Sequence, residues 1–114
     1  MHELSLVQNL FTQLDGLLRE NGAGKICTVR VEIGAFAGVV IDSFEFAFGV
    51  LRDTEPWATG ARLELSTPLP QYQCECGHIQ QRQKLEPGSC DKCGATALTP
   101  FGGSDIMLLQ VEME

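Results

Sequence analysis

Four of the five cysteines in this 114-residue chain fall within twenty residues, as Cys74-x-Cys76 and Cys90-x-x-Cys93 with thirteen residues between the pairs. Nothing else restricts the fold as tightly, because four converging sulfurs dictate the path of the chain between them. Four thiolates at this spacing suit one tetrahedral zinc ion, and Gly77 and Gly94 follow the two pairs where the chain has to turn tightly. A segment this short and polar has too little apolar surface to fold alone, so the metal supplies much of its stability. Two disulfides or four free thiols are the competing reading. A closed set of four sulfurs leaves no open position for a substrate, which makes this zinc structural and not catalytic. The first pair is spaced C-x-C instead of C-x-x-C, and His78, two residues past Cys76, is an alternative ligand.

The rest of the chain carries two helical and three extended patterns. From Ser5 to Asn21, the residues Leu6, Val7, Leu10, Phe11, Leu14, Leu17 and Leu18 recur every three or four positions and build one apolar stripe. Ser5 and Gln8 match a capping box, and Asn21-Gly22 supplies a left-handed stop. In "KICTVRVEIGAF", Cys27, Val29, Val31 and Ile33 alternate with polar residues, as in a half-buried strand. Cys27 there reads as a small buried hydrophobe. Asp42 and Glu45 form a second cap pattern ahead of Phe44, Ala47, Phe48 and Leu51, and "TEPWATG" ends that helix.

"ARLELS" is a short strand with Leu63 and Leu65 inward, and Pro68 and Pro70 mark a boundary. The closing "IMLLQVEM" is a strand expected to place Met107, Leu109, Val111 and Met113 on one face. The expected architecture is therefore α/β: a small two-layer sandwich of two helices on a three-stranded sheet, with an inserted zinc-ribbon-like module. The α/β domain would comprise residues 1–68, completed by the strand at 105–114, and the zinc module residues 69–104.

Charge and composition exclude several functions. The net charge of −7, from 15 acidic against 8 basic residues, repels phosphate backbones and argues against nucleic-acid binding. No apolar run approaches the roughly 20 residues that span a bilayer. The first residues are acidic where a secretory signal would be basic, so a cytoplasmic location is expected. There is no glycine-rich phosphate loop and no Ser-His-Asp grouping, and only two histidines, so no enzymatic chemistry is indicated.

The amino terminus, "MHELS", offers a second possible metal site. A free α-amine, the His2 backbone nitrogen and the His2 imidazole can close fused chelate rings, with Glu3 adding a carboxylate. Nitrogen and oxygen donors of this kind favour Ni(II) or Cu(II) over zinc. The bland alternative is a solvated end whose Glu3 simply complements the helix dipole. Under that alternative the protein is a zinc-ribbon interaction module with an inert terminus.

"MHELS", "VRVEIGAFAGV", the paired cysteines and the closing "DIMLLQVEME" together resemble the HypA/HybF family of hydrogenase maturation proteins, across essentially the whole chain. The resemblance implies a nickel metallochaperone that helps insert nickel into [NiFe] hydrogenase. It implies Ni(II) as transported cargo at Met1, His2 and Glu3, and structural Zn(II) at Cys74, Cys76, Cys90 and Cys93. It also implies a nickel-handling GTPase and the hydrogenase large subunit as partners. The chain departs from the family pattern at Gln73, where the first cysteine of a C-x-x-C pair would stand, and at Val40, where an acidic residue is frequent. Asp42 is the nearest carboxylate to Val40 and a further candidate nickel ligand.

Overall fold

The structure is a computed structural model and describes residues 2–114. It contains two helices and two three-stranded sheets, and the chain divides into two compact units. One unit takes residues up to Val31, Val39–Leu65 and Leu108–Glu114; the other takes Glu32–Gly38 and Ser66–Met107.

In the first unit, helix α1 spans His2–Glu20 and helix α2 spans Ile41–Thr54. The buried stripe of α1 is Glu3, Val7, Leu10, Phe11, Leu14 and Leu18, at the three-and-four spacing of an amphipathic helix. It packs on Phe44, Ala47 and Phe48 of α2, where the rings of Phe11 and Phe48 meet edge to face at 5.3 Å. The helix ends as its sequence dictates. Gly22 takes φ +61°, and the amides of Ala23 and Gly22 return to the carbonyls of Leu18 and Arg19 at 3.0 and 3.2 Å. Those are the paired bonds of a glycine-terminated helix end.

Both helix starts differ from the sequence expectation. α1 begins at His2, so Ser5 lies inside the first turns and is not the cap. The early start brings Glu3 onto the same stripe as Val7, and its carboxylate complements the positive end of the helix. α2 begins at Ile41 with Val40 as its cap residue, so Asp42 sits exposed in the first turn and caps nothing. Val40 has no side-chain oxygen to offer; instead the Glu3 carboxylate accepts the Val40 amide at 3.3 Å.

Strand β1 (Ile26–Ile33) lies between β2 (Arg62–Ser66) and the C-terminal β6 (Ile106–Met113). Val29, Val31 and Ile33 are buried as their alternation predicts, while Cys27 is half-buried and Thr28 buried. On the exposed side Arg30 donates to Glu64 at 2.7 and 3.0 Å and to Gln110 at 2.6 Å, tying both neighbouring strands to the central one. Exposed ion pairs of this kind contribute on the order of 1 kcal/mol or less. β6 departs from strict alternation. Ile106, Leu108, Val111 and Met113 are the more protected residues, whereas Met107 and Leu109 are exposed, so the phase slips at Leu109–Gln110.

In the second unit β3 (Gln71–Cys74) pairs antiparallel with β4 (Ile79–Gln81) and β5 (Leu98–Pro100). Tyr72 faces Gln80 on one side and Pro100 on the other. These strands are not expected from the sequence, because three or four residues carry too little period to detect. The segment that follows β1 joins this unit through the Gly34 amide to Asp105 at 3.0 Å and the Phe36 amide to Gly103 at 2.8 Å. Gly34 approaches so closely that any side chain would strike the Gly103 carbonyl. The Phe36 and Tyr72 rings meet edge to face at 5.4 Å.

Candidate metal centre

The four cysteines predicted to converge do so. Their sulfurs all lie within 4.8 Å of one another, with Cys74 to Cys93 at 3.5 Å and Cys76 to Cys90 at 3.8 Å. Tetrahedral zinc with bonds of about 2.3 Å has sulfur–sulfur edges of about 3.8 Å, so these two edges are close to those of the ion's coordination sphere. Cysteine pairs at disulfide distance would be far closer, at about 2.05 Å, and all four are free thiols. Cys74 and Cys90 are buried, Cys76 and Cys93 exposed.

Local turns aim these sulfurs. After Cys74 the chain reverses through the Gly77 amide to the Cys74 carbonyl and the Cys74 amide to the His78 carbonyl, both at 2.9 Å. After Cys90 it reverses through the Gly94 amide to the Cys90 carbonyl at 2.9 Å and the Cys90 amide to the Ala95 carbonyl at 2.7 Å. Gly77 and Gly94 have φ of +93° and +78°, which a side chain would strain. The Lys92 and Cys93 amides point at the Cys90 sulfur, at 3.4 and 3.5 Å.

These contacts sort the thiols electrostatically. The Cys93 amide foremost, with the Lys92 amide and the Cys93 and Cys74 thiols, brings Cys90 down to about 6 against the pull of burial. The Cys76 amide also lowers Cys74, but burial and the neighbouring Cys93, Cys76 and Cys90 thiols outweigh it and push that thiol up to about 12. Of these two, Cys90 ionises more readily, and a metal must displace the proton of Cys74.

Gln80 and Arg82, absent from the sequence expectation, hold the second cysteine loop. Buried Gln80 donates to the Ser89 carbonyl at 3.0 Å and accepts the Asp91 amide at 2.9 Å. Arg82 donates to the Pro87 and Ser89 carbonyls at 2.9 and 2.7 Å and grips Asp91 with two bonds of 3.1 and 3.2 Å. That grip foremost keeps the Asp91 carboxyl below its usual range, against burial. No local signal marks these two residues. His78 supplies a backbone carbonyl, and its ring is not among the clustered ligand atoms.

At the other candidate site, Met1 lies outside the described residues. His2 is 61% exposed, and its Nδ1 stands 3.4 Å from Oε2 of Glu3, the same oxygen that accepts the Val40 amide. The Val40 amide is the main cause holding the Glu3 carboxyl below its ordinary value; burial opposes it, and His2 assists. Asp42 lies two residues past Val40, exposed, in the first turn of the helix that Val40 caps.

A family model described as "Hydrogenase/urease nickel incorporation, metallochaperone, hypA" matches residues 1–113. The hydrogenase maturation factor HypA of Rhodobacter capsulatus is 34% identical over 116 residues, covering 99% of each chain. Its counterpart from Alkalilimnicola ehrlichii is 34% identical over 117 residues and covers both chains in full. The solution structure of the Ni metallochaperone HypA from Helicobacter pylori superposes with a TM-score of 0.66 at 28% identity, over 97% of this chain and 96% of that one. A second HypA solution structure gives a TM-score of 0.73 at 29% identity, over 100% and 97%. The chain thus belongs to the HypA family of nickel-incorporation metallochaperones.

Proposed function

We propose that this protein binds Ni(II) through Met1, His2 and Glu3, and hands it on for insertion into the [NiFe] hydrogenase active site. The observation that carries the reading is the exposed His2 imidazole beside the Glu3 carboxylate on the first turn of α1. Backbone amides there have no intrahelical partner and are open to a ligand role. Nitrogen and carboxylate donors suit Ni(II), and a half-open set of ligands can be remodelled by a recipient, as delivery requires. Glu3 enters this set with Oε2 already engaged by Val40, which restrains its carboxylate. Asp42, in the first turn of α2, is the carboxylate that would supplement it.

The zinc ion belongs to Cys74, Cys76, Cys90 and Cys93, with His78 outside the set. It holds the loop's shape and takes no part in nickel chemistry. The protein is a carrier and not an enzyme, acting in the cytoplasm with a nickel-handling GTPase and the hydrogenase large subunit as partners. No helix among the described residues is long and apolar enough to cross a membrane.

Nickel titration of untagged, zinc-loaded protein tests the reading, beside His2→Ala and a form with one glycine before Met1. The parent should take up about one nickel per chain and both variants should lose it, because each removes a donor or breaks the chelate rings. Equal uptake by all three forms would place nickel elsewhere. Uptake should also fall as pH drops, since the imidazole and amine must shed protons before they bind.

A further inference from the structure

Outside the metal sites, the first unit carries a groove of about 320 Å³ between α1 and the end of α2, lined by Gln8, Phe11, Asp15, Leu51, Glu55 and Trp57. Its floor is aromatic. Trp57, in the short 3-10 turn Pro56–Ala58, leans on Phe11 with ring centroids 5.5 Å apart and stays only half-buried. Its walls are acidic. Glu55 has no side-chain partner among the described residues, while Asp15 is paired with Arg19 at 3.1 Å. Glu55 also follows α2 directly, at the helix end whose carbonyls carry partial negative charge. The cations close by are committed elsewhere: Arg52 pairs with Asp53 at 3.7 Å and donates to the Ala61 carbonyl at 3.2 Å.

We propose that this groove docks an arginine side chain from a partner protein. Its volume is at the low end for ligand pockets and suits one long side chain better than a nucleotide or cofactor. An aromatic face next to an unpaired carboxylate is the arrangement that selects a planar guanidinium, which stacks on the ring and forks to the carboxylate. Leu51 and Phe11 offer apolar surface for the aliphatic stem. A net charge of −7 draws a basic partner surface toward the groove. The proposal is independent of where nickel binds.

Trp57 is the chain's single tryptophan, so its fluorescence reports on the groove alone. Zinc-loaded protein is titrated with the capped tripeptides Gly-Arg-Gly, Gly-Lys-Gly and Gly-citrulline-Gly, citrulline being the neutral shape-mimic of arginine. The arginine peptide should give a saturable change in the millimolar range, and Glu55→Gln should weaken it about fivefold while keeping the parent's melting temperature. Citrulline should bind at least about fivefold more weakly, and lysine should be intermediate. The proposal is overturned if no peptide saturates the signal, if citrulline or lysine matches arginine, or if Glu55→Gln binds arginine unchanged.

Discussion

The two units are held together by different chemistry. In the α/β unit, Val7, Leu14, Ile26, Val29, Val31, Phe44 and Phe48 are all but fully buried, and apolar burial is the dominant stabilising effect. Between Ser66 and Met107 the buried apolar side chains are few, Pro70, Tyr72, Cys74 and Cys90, and the order there comes from turns, sulfurs and the bonds of Gln80 and Arg82. A core stabilised by area tolerates loss of one contact and sags. A segment organised around one point collapses when that point is removed, so the two units should fail separately.

The largest effect expected is metal removal. Structural zinc contributes apparent binding energies of about 10–16 kcal/mol in small zinc-binding peptides. Chelation or Cys90→Ser should release one zinc per chain and abolish amide protection across β3, β4 and β5, read by hydrogen exchange. Protection in α1, α2 and β1 should persist. Equal loss in both regions would mean that the α/β unit also depends on the metal.

Phe48→Ala inverts the experiment. Truncating a buried phenylalanine costs about 3–5 kcal/mol, which includes the lost edge contact with Phe11. Denaturation of the α/β unit should shift accordingly while zinc content by elemental analysis stays unchanged. A drop in zinc would show that the apolar core supports the cysteine cluster.

Smaller effects sharpen the contrast within each unit. Gln80→Ala leaves the Asp91 amide without its partner and the Ser89 carbonyl with Arg82 alone, and groups that orient a metal's ligands typically change its affinity 10–100-fold. Competition with a chromophoric chelator should show zinc affinity falling within that range, with all four cysteines intact. An unchanged affinity would mean that Gln80 does not orient the ligands.

The smallest effect is the pH response of Glu3 in nickel-free protein. Its carboxyl is held below the ordinary value, chiefly by the Val40 amide. The carboxylate therefore contributes stability above the ordinary carboxylate value of about 4.3, and loses it as pH falls through the lower folded value. Melting temperatures across that acidic window should fall less steeply for Glu3→Gln than for the parent. Parallel curves would mean that the Val40 contact is not maintained in solution.

Much of this was legible in the residues themselves. The apolar spacing of α1, the alternation of β1, the Gly22 stop and the paired cysteines are local codes, because the period of an element or the spacing of ligands needs only neighbouring residues to be read. The convergence of Cys74, Cys76, Cys90 and Cys93 followed from spacing alone. What tertiary structure decided involves residues distant in sequence. Glu3 reaches Val40 across 37 positions, so neither the start of α2 nor the irrelevance of Asp42 as its cap was visible in the first turn of that helix. Gln80 and Arg82 look like ordinary polar residues until the chain folds back and brings the Ser89 carbonyl within 3.0 Å of both. The phase slip of β6 likewise hides in a run of apolar residues, where either face reads as inward. A hydrogen-bonding side chain can serve many partners, and only the fold chooses among them.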